Sequence, residues 1–203
     1  GCPVANKYQI GSAVSQTAYI SHHTAMEYYG VCDQVYYDVY VSSETPFKEF
    51  EFDGYTYCYV ASKCKLGIEN VHYSGGVRIT DKERTTLDSI KDMDKISGIE
   101  EVLANIDGFT SLNEEKLTGY LQEYHNQFLY QKTGFILYPY RDKLGLSHSF
   151  FEMCQSKTGK SKRYLTKEFT NGTYIKEWKL VVPDEIYKLK NGAFQDDRMD
   201  LCQ

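Results

Sequence analysis

Glu49-Phe50-Glu51-Phe52-Asp53-Gly54-Tyr55-Thr56-Tyr57-Cys58-Tyr59-Val60 is the stretch that decides the fold class. Polar and apolar side chains alternate on both sides of Asp53-Gly54, which is the period of a half-buried strand. Asp-Gly supplies the positive-φ positions that a two-residue hairpin turn requires. Upstream, Gln34 to Val41 is rich in aromatic and β-branched residues and reads as a further strand. Downstream, Val71-His72-Tyr73 and Val77-Arg78-Ile79 flank Gly75-Gly76, which suggests a second hairpin. Residues 34–80 are therefore expected to form an antiparallel β meander of about four or five strands.

Helical patterns lie on either side. Asn6 to Val14 is a short amphipathic stretch, and Ser21 is placed to cap a helix over His22 to Tyr29, which Gly30 would end. Thr80-Asp81-Lys82-Glu83 has the form of a capping box, with Leu87 and Ile90 forming an apolar stripe behind it. Ile96 to Ile106 follows with apolar residues at spacings of three and four. Ser111-Leu112-Asn113-Glu114 is a second box, and Asn126 to Leu137 and Leu146 to Cys154 read as further helices. The expected helical region is about 81–155. A late strand is expected over 174–182, ended by Pro183. Strands, then helices, then a strand point to an α+β fold. One domain is expected over 1–190, with a frayed tail over 191–203.

The chain has 203 residues, 41% hydrophobic and 25% charged, which excludes disorder, collagen and coiled coil as descriptions of the whole. No apolar run approaches the roughly 20 residues of a membrane-spanning helix, and no export signal opens the sequence. Cysteines at 2, 32, 58, 64, 154 and 202 are too sparse for a disulfide-stapled domain and are expected to be reduced in the cytoplasm. Residues 132–190 hold 12 basic and 6 acidic side chains, against a net charge of −5 for the chain. Such an asymmetry permits one basic face. Within it Lys157, Lys160, Lys162, Arg163 and Lys167 cluster in a Gly/Ser/Thr-rich stretch suited to phosphate contacts.

Phosphate-loop, dinucleotide-binding and nucleophile-elbow motifs are missing from the sequence. His22-His23 with Cys32 lacks zinc-site spacing, so no metal is expected there. Asp81, Glu83 and Lys82 follow a strand and open a helix, the pattern of a metal-dependent nuclease. Their simpler role is structural: Glu83 completes the cap, and Arg84 and Asp88 pair at i, i+4. No catalytic residue, cofactor or metal is expected.

An ordered set of segments carries more information than any of these motifs. Ala18-Tyr19-Ile20-Ser21-His22-His23-Thr24-Ala25-Met26-Glu27-Tyr28-Tyr29-Gly30-Val31 resembles the "YIS…SAL-x-x-HG" opening of AbiEi-type antitoxins from type IV toxin–antitoxin (abortive infection) systems. Val77 to Asp88 resembles that family's "V-x-D-x-ERTLLD" segment, and Gly98-Ile99-Glu100-Glu101-Val102-Leu103 the glycine-plus-helix after it. Thr133-Gly134-Phe135-Ile136-Leu137 resembles "R-x-G-Y-L", with Gln131-Lys132 where arginine is usual. Glu177-Trp178-Lys179-Leu180-Val181-Val182 resembles the closing "W-x-L-V-V" strand. The set spans roughly residues 4–189 in family order.

The resemblance implies a non-enzymatic antitoxin and transcriptional autorepressor of a phage-defence operon. It implies binding to promoter DNA, mainly through an N-terminal winged helix-turn-helix. It also implies functional antagonism of a nucleotidyltransferase-like toxin without a tight complex. No winged helix is read in this sequence, which opens near the junction where that module would end. The motif residues Glu83, Arg84, Asp88 and Trp178 are expected to be architectural. Two other readings stand beside this one: a nuclease centred on Asp81, Glu83 and Lys82, and a protein-interaction module presenting a tyrosine-rich sheet.

Overall fold

The computed structural model describes residues 4–72, 75–189 and 193–194. The fold is α+β, and the chain divides into two compact units, Gly1–Asp88 and Ser89–Gln203. The boundary falls inside a helix rather than in a linker.

The first unit is built on a six-stranded sheet. In chain order its elements are α1 (Lys7–Ser12), β1 (Tyr19–Ile20), α2 (His22–Tyr28), β2 (Asp38–Ser42), β3 (Phe50–Phe52), β4 (Tyr55–Val60), β5 (Ile68–Val71), β6 (Val77–Thr80) and the start of α3 (Lys82–Lys91). The Asp53-Gly54 hairpin forms as expected: Phe52 faces Tyr55, and φ is +51° at Asp53 and +81° at Gly54. Both central residues are left-handed, as a type I′ turn demands, and only glycine adopts the second without steric cost. The second hairpin also forms, with Val71 opposite Val77. Tyr73 lies outside the described residues.

The sheet is not a meander. Its order is β3-β4-β2-β1-β6-β5, with β2 parallel to β4 and β1 parallel to β6. The reason lies in strand length. β4 has six residues and can satisfy two neighbours, whereas β3 has three and takes the edge, where a short strand limits unwanted pairing. The unexpected central strand β1 has two residues, too few to show any period in sequence. It is fixed instead by burial, since Ala18 and Ile20 are fully enclosed with Val39, Val41, Tyr57 and Ile79. Strand β2 is also shorter than expected and begins at Asp38.

Caps settle the helix starts. Asn6 and Gln9 form a reciprocal capping box on α1. Ser21 occupies the N-cap of α2, but its hydroxyl pairs with His22 Nδ1 at 2.7 Å instead of capping. Gly30 closes α2 at φ +73°, and the Val31 N–H reaches back to the Met26 carbonyl. On α3 the cap is shifted by one residue from the expected box: the Arg84 N–H donates to Asp81 Oδ1 at 2.8 Å. The Thr80 hydroxyl instead pairs with that of Thr85 at 2.7 Å. Asp accepts more strongly than Thr and complements the helix dipole, which explains the shift.

The second unit holds α4 (Ile99–Asp107), α5 (Glu114–Tyr124), α6 (Gln127–Leu137), α7 (Arg141–Leu144), α8 (His148–Ser156) and a three-stranded sheet of β7 (Arg163–Tyr164), β8 (Gly172–Ile175) and β9 (Leu180–Pro183). Helix α4 starts three residues later than expected. The cap of α5 is Asn113, which accepts from the Lys116 N–H at 3.0 Å, rather than Ser111. Helix α6 is buried from Leu129 to Leu137, all round, which explains why its sequence shows no clean stripe.

The late strand is a hairpin. β8 and β9 pair antiparallel with Ile175 opposite Leu180, and β7 joins β9 in parallel. Residues 176–179 turn between them with Lys179 at φ +50°, so Trp178 leaves the ladder and enters the core at 5% exposure. The tail expected to fray lies outside the described residues except at Ala193 and Phe194. Phe194 is buried and stacks on Phe135 at 5.3 Å. Among the described residues no helix is long and apolar enough to cross a membrane. Cys32, Cys58, Cys64 and Cys154 are free thiols. Cys2 and Cys202 lie outside the described residues.

Candidate functional site

The junction of α5 and α6 builds one wall of a cleft. His125 ends α5 in the left-handed conformation, at φ +48°, its N–H bonded to the Leu121 carbonyl. Asn126 then caps α6 by accepting from the Leu129 N–H at 3.1 Å. This sharp reversal presents Gln122, Tyr124, Gln127 and Phe128 on one side. Ser156, Lys157 and Thr158, at the end of α8, and Arg163 on the edge strand β7 form the other. The open volume is about 740 Å³, and among the described residues no Asp or Glu lines it.

Two rings that line the cleft meet cations, one from the lining and one, Lys91, from outside it. The Arg163 guanidinium lies 5.4 Å from the Phe128 centroid, and the Lys91 ammonium lies 5.7 Å from that of Tyr124. Arg163 is exposed, and its backbone N–H is tied to the Lys179 carbonyl at 3.0 Å, so the edge strand fixes where it emerges. By strand alternation Tyr164 emerges on the opposite face, half-exposed and stacked on Phe169 at 5.8 Å. Exposed cation–aromatic surfaces of this kind hold phosphates and stack bases.

All five expected phosphate-contact residues are exposed. The structure brings only Lys157 and Arg163 together in the cleft. Lys160 and Lys162 sit on the adjoining loop, Lys162 at 5.8 Å from the Tyr164 ring. Lys167 does not line the cleft; its backbone N–H faces the Asp94 carboxylate at 3.4 Å. Sequence reasoning missed Tyr124, His125 and Phe128, although Tyr124-His125-Asn126 between two helical patterns was a legible turn.

The motif residues Glu83, Arg84, Asp88 and Trp178 are all buried. Arg84 is fully buried. Its Nε meets both carboxylate oxygens of Asp88 at 3.1 Å, and Nη1 donates to the carbonyls of Cys64 and Leu66 at 3.0 and 2.7 Å. Nη2 donates to the Tyr19 and Ser62 hydroxyls at 3.1 and 2.8 Å. One guanidinium thus ties α3 to β1 and to the segment before β5. Glu83 is buried at 3% exposure on the first turn of α3. Asp81, also buried, is committed to the α3 cap, and among the described residues no group of three His, Cys, Asp or Glu side chains converges as metal ligands would.

Trp178 is held by the helix the sequence placed beside it in the motif set. Gln131 Nε2 donates to the Trp178 and Lys179 carbonyls at 2.7 and 2.9 Å. A Cβ on Gly134 would lie 2.2 and 2.3 Å from atoms of the indole ring. Glycine is required there by the close approach. The neighbouring Lys132 is buried, donating to the Ile90 and Lys91 carbonyls at 3.2 and 3.0 Å, where it caps the end of α3. Burial lowers its pKa to about 8, against a smaller opposing pull from Asp94 and Asp92.

His23 is stacked on Tyr36 at 4.2 Å, edge-on to Tyr40 at 4.7 Å, and its Nε2 lies 3.2 Å from the Asp38 carbonyl. Burial lowers its pKa to about 4. The Cys32 thiol donates to the His23 carbonyl at 3.9 Å. This trio is a packed aromatic corner.

No family model matches the sequence, and no curated protein matches it. Among solved structures the chain is similar to the crystal structure of RV2827C protein from Mycobacterium tuberculosis, with a TM-score of 0.60 and 12% identity. The likeness covers 89% of this chain and 66% of that one, so this chain spans about two thirds of the length of that protein. The two share a fold.

Proposed function

We propose that the chain is a non-enzymatic regulator: the C-terminal domain of an AbiEi-like antitoxin, contacting promoter DNA and opposing a nucleotidyltransferase-like toxin in the cytoplasm without a tight complex. The observation that carries the DNA-contacting part is the carboxylate-free cleft in which Lys157 and Arg163 face Tyr124 and Phe128. Cations there neutralise phosphates without reading bases, which suits a domain that assists a separate sequence-reading module. The antitoxin part rests on the ordered motif set, whose residues Arg84, Asp88 and Trp178 occupy internal positions that hold a scaffold together.

The test is the salt dependence of binding to duplex promoter DNA, read by fluorescence anisotropy between 50 and 200 mM salt on the order of the usual range. Replacing Lys157 and Arg163 by alanine should weaken binding and flatten the log–log slope by about 2. Replacing all five basic residues should flatten it by up to about 4. An unchanged slope in the five-residue variant would remove the assignment.

One observation favours a second reading, the protein-interaction module. In the first unit Val35 and Tyr37, on the segment before β2, are each 68% exposed, and Phe52 on the edge strand β3 is 55% exposed. A stable stoichiometric complex lost on Tyr37→Ser and Phe52→Ser would support it.

A further inference from the structure

A second cavity in the second unit shares no lining residue with the basic cleft. Its volume is about 330 Å³. That is the lower end of the range for ligand pockets and suits a single ring system rather than an extended cofactor. Phe135, Phe151, Trp178 and Phe194, all buried, lie at its base, with Tyr138 and Tyr187 beside them. The 2–7% exposure of these buried rings makes this an apolar floor of ring edges against which a planar ring can pack.

The rim is polar and of mixed sign. Arg141 is fixed by two contacts: its guanidinium lies 4.2 Å from the Tyr138 centroid, and Nη1 donates to the Tyr138 carbonyl at 2.8 Å. Among the described residues no hydrogen bond engages its other N–H groups. Among the described residues Glu152 forms only a long, exposed pair with His148 at 3.4 Å. Among the described residues no hydrogen bond or ion pair engages the Glu177 carboxylate. A simple cation would face Arg141, and a simple anion would face two glutamates. A neutral ring with acceptors on one edge and donors on another satisfies both.

We propose that this pocket binds a purine base, guanine before adenine. Guanine presents O6 and N7 as paired acceptors for the arginine fork. Its N1–H and N2–H₂ form a paired donor edge that a carboxylate accepts in parallel. Cytosine has one exocyclic donor group and a smaller stacking face, and uracil lacks the donor edge. The base packs on the apolar floor that includes Trp178, with Arg141 at one edge and Glu177 at the other.

Trp178 is the sole tryptophan of the chain, so intrinsic fluorescence reports this pocket directly. The experiment is a titration of the full chain with guanosine, guanosine 5′-monophosphate, adenosine, cytidine and uridine, with equilibrium dialysis as a second measure. Guanosine should quench Trp178 with an apparent Kd below roughly 1 mM, tighter than adenosine and well ahead of the pyrimidines. Glu177→Gln, on an exposed turn, should weaken guanosine at least about tenfold, and Arg141→Gln comparably. Equal binding of guanosine and its monophosphate assigns recognition to the base. If a guanine-containing single strand binds better still, the source is nucleic acid rather than free nucleotide. No saturable response to guanosine in the unsubstituted chain would overturn the proposal, as would equal responses to uridine or indifference to both variants. Loss of the basic-cleft residues leaves this titration unchanged, so the two proposals fail separately.

Discussion

Replacing Gly134 by alanine sets two effects against each other. Alanine in a helix interior is favoured over glycine by about 1 kcal/mol, and α6 is a regular helix at this point. The new Cβ, however, would lie 2.2 and 2.3 Å from Trp178 ring atoms and 3.1 Å from the Cβ of Cys154. Contacts that short cannot persist, so the ring or the helix must move. The ring cannot swing freely, because the carbonyls of Trp178 and Lys179 are held by the Gln131 side chain. Overpacking a fixed core costs about 1–3 kcal/mol, and expelling the indole altogether about 3–5. Net of that helix gain, the clash should leave Gly134→Ala less stable by up to about 2 kcal/mol. Thermal unfolding followed by Trp178 fluorescence should show a midpoint lower by up to about 8 °C. The cause is isolated in a Trp178→Leu background, followed by circular dichroism, where the same change should be neutral or stabilising. Gly134→Ala raising the midpoint in the natural background, or costing as much without the indole, would refute the reasoning.

Arg84→Met should cost about 3–5 kcal/mol in urea unfolding, because the buried Asp88 loses its arginine; Asp88→Asn in the same background should recover part of the loss. His23 has a folded pKa of about 4 against an ordinary 6.5, so between those values the unfolded chain binds more protons. Its contribution is complete above pH 6.5 and is lost on acidification towards pH 4, up to about 3 kcal/mol; His23→Phe, which keeps the stack on Tyr36, should remove that slope. Lys132, lowered to about 8 from 10.5, acts in the alkaline window: stability should rise from pH 8 to 10.5, and Lys132→Met should abolish the rise in unfolding titrations.

The local elements were legible because their signals are local. Asp53-Gly54 fixes its own turn, Gly30 its own helix end, and Asn126 its own cap, each through backbone conformations or hydrogen bonds spanning a few residues. Where two capping residues competed, sequence order misled: Asp81 displaced Thr80 and Asn113 displaced Ser111, since the backbone geometry at the last non-helical residue selects the acceptor. Of the basic run, residue type and exposure could be read directly. The cleft could not, because Phe128 and Arg163 are 35 positions apart and meet only once β7 has paired with β9.

Sequence alone thus determined the α+β class, both early hairpins, the basic run and the i, i+4 pairing of Arg84 with Asp88. Tertiary structure decided the strand order around the two-residue β1, the conversion of residues 174–182 into a hairpin, and the inward turn of Trp178 against Gly134. The physical reason is range. A turn or cap is settled by a few neighbouring dihedrals and bonds, whereas a strand's neighbours and a ring's resting place depend on which distant surfaces exclude water together.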